Sequence, residues 1–171
     1  MMQRYEMFSG LLRISDEELG IDIADSFDPK LLVVKKEEKE GRLFSISSYL
    51  EGGIHGPSLF YGENGTLVSS SWFCRNLREG RLRQYYATGA LYAIQGFVHG
   101  VRSGPQHYYD PNGSLRTVMH YEQGVLDGEM ILYWPNGQIK RHLILSKGKK
   151  IGTERFWNAQ GVVSTEIVHV G

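Results

Sequence analysis

Glycines recur every 24 residues along most of this chain: Gly56, Gly80, Gly104, Gly128 and Gly152 in one column, and Gly65, Gly89, Gly113, Gly137 and Gly161 in a second. An aromatic stands four places before each glycine of the second column, as Tyr61, Tyr85, Tyr109, Tyr133 and Trp157. An aliphatic stands two places after it, as Leu67, Leu91, Leu115, Ile139 and Val163. Four columns that hold register through five copies make this a repeat protein: each copy adopts the same local structure and stacks on its neighbours.

The unit can be read physically. In Tyr109-Asp110-Pro111-Asn112-Gly113, proline presets φ for the second turn position and asparagine suits the third. Glycine then takes the left-handed conformation that closes a hairpin with a one-residue bulge. Each unit is therefore predicted to be a β-hairpin. Pairing Asp110 with Ser114 sets Tyr109 opposite Leu115, and likewise Tyr61 opposite Leu67, Tyr133 opposite Ile139 and Trp157 opposite Val163, a ladder of aromatic-aliphatic pairs. The expected fold is all-β: an elongated, single antiparallel meander sheet of 24-residue hairpins, twisted right-handedly. One face is expected to carry Tyr109, Leu115 and Met119. The other would carry Phe60, Tyr108, Leu132 and Phe156, with Trp72, Ile94, Val118 and Ile144 on the partner strands. A one-layer sheet that is apolar on both sides needs covering.

The spacing in Tyr121-x-x-Gly124-x-x-x-Gly128-x-x-x-x-Tyr133-x-x-x-Gly137 resembles the MORN repeat, in the variant found in bacterial YwqK-like proteins. The resemblance covers residues 56 to 171 in five copies, plus a half copy from Gly41 through Leu43 and Tyr49 to Gly52. It implies a scaffold, since the motif residues are turn and ladder residues and none is a catalytic group. For the YwqK-like group it also implies an antitoxin that occludes a cognate toxin. Two positions depart from the columns. Asn76 stands where other units have Gly52, Gly100, Gly124 and Gly148, and His169 stands in the column of Tyr49, Phe73, Phe97 and Tyr121.

The chain divides accordingly. Residues 1–27 lie outside the repeat as a capping segment, in which Ser15-Asp16-Glu17-Glu18 reads as a capping box opening a short helix from about Asp16 to Asp25. Residues 28–55 read as a degenerate first hairpin. Leu31 to Val34 is expected to be a buried strand and Lys35 to Gly41 a charged, solvated tip, with Arg42 to Tyr49 completing the pair. Residues 56–171 hold the repeats, as 56–79, 80–103, 104–127, 128–151 and 152–171.

Charge and composition narrow the function classes. Nineteen Lys and Arg balance 19 Asp and Glu, so long-range charge does not favour nucleic acid or an anionic membrane. The single cysteine, Cys74, forms no internal disulfide, which points to a reducing compartment. No apolar run approaches the length of a membrane span, and Met1-Met2-Gln3-Arg4-Tyr5-Glu6 lacks the apolar core of a signal peptide. A cytoplasmic location is expected, unless the protein leaves the cell by a route that reads no cleavable signal.

Catalytic, metal and cofactor residues are all expected to be absent. None of the six histidines forms a spaced metal pair. His107 and His120 should project to opposite faces, and His120 and His142, on equivalent strands of successive hairpins, would stand about 10 Å apart, too far to share one zinc. Cys74 has no histidine in local register and reads as a packed thiol. Gly100 to Gly104 looks like an anion-binding turn, yet the same spacing recurs at Gly124 to Gly128 and at Gly148 to Gly152, so the turn reading is preferred.

The expected activity is therefore non-enzymatic binding of another protein. Contacts are assigned to Tyr86, Tyr108 and Trp134, aromatics outside the ladder column, and to Arg75, Arg78, Arg81 and Arg83, because aromatics and arginines dominate interface energetics. Self-association into a homodimer suits the same residues. The alternative is a peripheral binder of anionic lipid through Arg75 to Arg83 and their flanking aromatics.

Overall fold

The computed structural model describes residues 31–170. The segment 1–27, with the helix expected over Asp16 to Asp25, lies outside the described residues. Twelve strands follow in order: β1 (Val33–Lys39), β2 (Arg42–Leu50), β3 (Gly53–Tyr61), β4 (Leu67–Cys74), β5 (Leu77–Tyr85), β6 (Leu91–Val98), β7 (Val101–Tyr109), β8 (Leu115–Glu122), β9 (Val125–Tyr133), β10 (Ile139–Ser146), β11 (Lys149–Trp157) and β12 (Val163–His169). Each pairs antiparallel with its sequence neighbours, so one open sheet runs from β1 to β12 without a crossover.

Two kinds of turn alternate. In the longer one, the Gly113 N–H donates to the Asp110 carbonyl at 2.8 Å and the Asp110 N–H to the Ser114 carbonyl at 2.9 Å. The Asn112 side chain accepts from the Ser114 N–H at 3.0 Å, and Gly113 sits at φ 85°. Tyr109 stands opposite Leu115, as do Tyr61 and Leu67, Tyr85 and Leu91, Tyr133 and Ile139, and Trp157 and Val163. The shorter turn has two residues, both at positive φ, such as Gln123 at 47° and Gly124 at 83°, the mirror-image geometry whose twist matches a hairpin. Asn76 fills the second place at φ 71°. Asparagine is among the non-glycine residues that best tolerate this region, and its side chain accepts the Ile54 N–H at 2.8 Å.

Between turns the register slips at two places. At the first, Tyr108 faces Thr117 while Tyr109 faces Leu115, so Arg116 is skipped. The same slip skips Phe44, Val68, Tyr92, Lys140 and Ser164. At the second, Gln95 faces Gln106 and Phe97 faces Arg102, setting Ser103, Gly104 and Pro105 against Gly96 alone. This larger bulge uses the first glycine column, with Gly104 at φ 72° and Gly128 at φ 106°, and it bends and twists the strand that carries it. Gln106 satisfies the displaced carbonyls: its amide donates to Gly96, Ser103 and Gly104 at 3.3, 3.3 and 3.1 Å. Gly96 is required for a different reason, since a Cβ there would collide with the Ser103 carbonyl.

The first slip overturns the expected assignment of faces. Without it Gln106 would oppose Val118, but it opposes Met119. Phe60, Tyr108, Leu132 and Phe156, opposite Ser69, Thr117, Arg141 and Thr165, therefore share Met119's face, called here the first face. Ile94 and Val118 oppose His107 on the second face, as do Trp72 and Ile144 by register equivalence, and Tyr109 turns there too by alternation. His107 and His120 also share the second face, because His120 opposes Pro105, two residues along from His107.

The first hairpin differs from expectation as well. Leu31, Val33 and Val34 are 62%, 58% and 40% exposed, because β1 is the edge of the described sheet. Lys35 to Lys39 belong to that strand, and the tip is Glu40-Gly41 alone. The buried row instead crosses the middle of the first face, through Ser47, Ser58, Leu82, Gln95, Gln106, Leu143 and Glu154. A one-layer sheet can bury such a row only by curling around it, and repeated bulges of one hand supply that curvature. Ser47 and Ser58 hydroxyls pair at 2.8 Å within it.

Candidate interaction surface

Each long turn is entered by a tripeptide with the ladder aromatic in its middle: Phe60-Tyr61-Gly62, Gln84-Tyr85-Tyr86, Tyr108-Tyr109-Asp110, Leu132-Tyr133-Trp134 and Phe156-Trp157-Asn158. The middle residue alternates to the second face. Every tripeptide also supplies one further aromatic, at its first position in the first, third and fifth copies and at its third position in the second and fourth.

Ring contacts place these further aromatics on the first face together with the skipped residues of the even strands. Tyr86 meets Tyr92 edge-on with centroids 5.2 Å apart, and Tyr92 meets Tyr108 at 6.0 Å. Phe44 and Phe60 meet at 6.0 Å. Cations lie on these rings: Lys39 over Phe44 at 3.7 Å, Arg116 over Tyr92 at 5.8 Å, Lys140 over Trp134 at 4.3 Å and Arg141 over Phe156 at 5.2 Å. The result is a strip of rings and cations crossing the strands beside the long turns. Its aromatics are half-exposed, with Phe60 the most open at 37%.

Of the aromatics nominated from the sequence, Tyr86 and Trp134 also tie repeats together. The Tyr86 hydroxyl donates to the Tyr109 carbonyl at 2.8 Å and the Trp134 indole N–H to the Trp157 carbonyl at 3.0 Å. Tyr108 accepts from Gln95 at 2.7 Å through its hydroxyl.

The four arginines do not form one patch. Arg81 and Arg83 oppose Gly96 and Ile94 on the second face. Arg78 opposes Phe73, and its guanidinium lies between the Phe73 and Phe97 rings at 5.2 and 5.1 Å, where burial lowers its pKa. Arg75 is exposed in a short turn at φ 46°. Alternation along β5 explains the split, since three places separate Arg78 from Arg81 and set them on opposite faces.

Arg81 lines a second-face cavity of about 340 Å³ with Gly96, Pro105, His107 and Tyr109, among others. Burial and then the Arg81 charge lower the His107 pKa, which favours its neutral form. Among the described residues no three His, Cys, Asp or Glu side chains are grouped so as to hold a metal ion.

The sequence reading missed Glu154. It is buried on the first face, where Arg141 Nε donates to it at 2.6 Å, Lys150 at 3.0 Å and His169 Nε2 lies 2.7 Å away. The departure of His169 from its aromatic column was the available signal, since the register places it beside this carboxylate. Burial raises the Glu154 pKa, but hydrogen bonds from His169, Lys150 and Arg141 and the Arg141 charge outweigh that and bring it to about 2.

The structural unit has a counterpart among known families. The MORN repeat variant model matches residues 126–144, which run from β9 through its long turn into β10. No curated protein was found to match the chain. The protein is a scaffold of β-hairpin repeats with a MORN repeat variant segment in its fourth copy.

Proposed function

We propose that the protein is a non-enzymatic interaction scaffold that binds another protein across the first-face strip. The supporting observation is the strip itself, in which Phe60, Tyr92, Tyr108, Trp134 and Phe156 remain half-exposed, with cations over Tyr92, Trp134 and Phe156. Full burial of an exposed ring is worth about 1.5–3 kcal/mol, of which these rings, the most open at 37% exposure, have up to about a third each still to gain, and a contiguous apolar patch rimmed by charge is the usual mark of an interface. An adaptor, or an antitoxin occluding a toxin, is the form this activity takes in our reading, and the cytoplasm its place.

The test is photo-crosslinking in cells from a reactive analogue placed at Phe60 or Phe156, with Arg75 in the turn as control. A discrete protein adduct from the strip positions, absent from Arg75, is expected. An adduct of twice the chain mass identifies the partner as a second copy. Adducts formed only with lipid would replace this reading with the membrane one.

A further inference from the structure

The strip has a pitch, and the pitch selects a ligand. Successive hairpins place equivalent residues two strands apart, about 9.6 Å at ordinary strand spacing, and rings at one position, Phe60, Tyr108 and Phe156, recur at every second hairpin, about 19 Å or two such steps apart. A polyproline helix repeats every three residues at about 3.1 Å each, or about 9.3 Å per turn. The mismatch is about 0.3 Å per hairpin, so it accumulates to only about 1 Å over the four steps from Phe60 to Phe156. An extended β-strand ligand, at about 3.3 Å per residue and two residues per side-chain repeat, has no such match.

Charge supplies the second criterion. Arg116 lies over Tyr92 of the second hairpin, Lys140 over Trp134 of the fourth and Arg141 over Phe156 of the fifth. The acids at that end of the strip are Asp110, 3.8 Å from Arg116, and Glu154, buried beneath Arg141.

We infer that the strip binds an acidic, proline-rich segment of a partner protein in polyproline conformation, running across the strands with one turn per hairpin. Prolines pack on the half-exposed rings, as in other aromatic-lined polyproline grooves. Carboxylates meet Arg116 and Lys140. The ligand arrives with its conformation already formed, which limits the ordering cost of binding a shallow surface. The inference rests on the protein-binding reading above and adds the chemistry of the partner.

The experiment is fluorescence anisotropy of the full chain with a labelled peptide of repeating Pro-Pro-Glu, about 15 residues and five turns long. A peptide of the same length and charge, with Gly-Ser in place of Pro-Pro, is the control. Saturable binding of the proline peptide is expected, at least about tenfold tighter than the control, and lengthening the peptide by one three-residue turn should tighten it further. Arg116→Gln combined with Lys140→Gln should weaken it by about tenfold or more while leaving the circular dichroism spectrum unchanged. Both side chains are exposed, so this variant tests the site and not the fold.

Equal binding of both peptides, or no binding of either, overturns the inference. So does displacement of the proline peptide by an oligothymidine or anionic vesicles at lower concentration than by unlabelled peptide. If the peptide fails but the double variant still loses the crosslinked partner, only the polyproline chemistry is wrong. If the crosslink is unaffected too, Arg116 and Lys140 do not contact the partner, and the charge criterion falls together with the polyproline one.

Discussion

At the scale of single residues, two side groups carry unequal burdens. Gly113 at φ 85° is open on all sides, so a larger side chain there meets no collision and the cost of replacing it is conformational. Gly113→Val should destabilise by about 1–2 kcal/mol, read as a lower melting temperature; an unchanged value would contradict the turn geometry. Glu154 presents the opposite case, a buried acid held ionised by its neighbours. Its folded pKa of about 2 lies below the ordinary 4.5. Its stabilisation is therefore fully present above about pH 4.5 and lost as pH falls toward 2. Lys150 is 42% exposed, and with such screening the contribution is about 1–2 kcal/mol. The melting temperatures of wild type and Glu154→Gln, well apart at pH 7, should converge as pH is lowered through this window. A gap that stays constant would show that the charge is not what matters.

At the scale of the hairpin, the order of turns and the ladder pairs could be read from the chain because each depends on local chemistry: proline, asparagine and glycine at fixed offsets specify one closure. The faces could not be read, because they depend on a slip that skips Phe44, Val68, Tyr92, Arg116, Lys140 and Ser164, residues with no chemistry in common. A single skipped residue reverses every side chain beyond it. That is why Tyr108 and Val118 were expected together and lie on opposite faces. The exposure of Leu31 to Val34 was illegible for a related reason, since an apolar run reads alike whether its strand is central or at an edge. Tyr86, Tyr108 and Trp134, nominated from the sequence, lie on the strip, but the cation over Trp134 could not be read from the chain. Cross-repeat bonds also belong to this scale. Trp134→Phe keeps an aromatic ring, though a smaller one, and removes the donor to the Trp157 carbonyl, leaving an acceptor beside a partly exposed turn. A loss of about 0.5–1.5 kcal/mol is expected in chemical denaturation, and none would mean that water replaces the indole at no cost.

At the scale of the whole molecule, the described sheet has no crossover, and each strand forms ladder bonds only with those before and after it, while side chains such as Tyr86 and Trp134 add bonds to the next hairpin. Stability is then close to a sum over neighbouring hairpins, as in other linear arrays. The two borders are not alike. β1 presents Lys35, Lys36 and Lys39 with Glu37 and Glu38, charges that discourage another strand from pairing. β12 presents Val163, Ile167 and Val168 at 47%, 42% and 71% exposure. The strict strand order has a mechanical consequence. Tension drawn between β1 and β12 loads one ladder at a time, perpendicular to the strands, so the sheet should part like a zip fastener and not shear as a block. Each 24-residue copy freed adds about 80 Å of contour at about 3.4 Å per residue. In an optical trap the expected record is a staircase of such steps at low force, reversible on relaxation; one abrupt rupture of the full length would contradict it. A chain built this way yields gradually under load and can lengthen several-fold while its remaining hairpins stay folded.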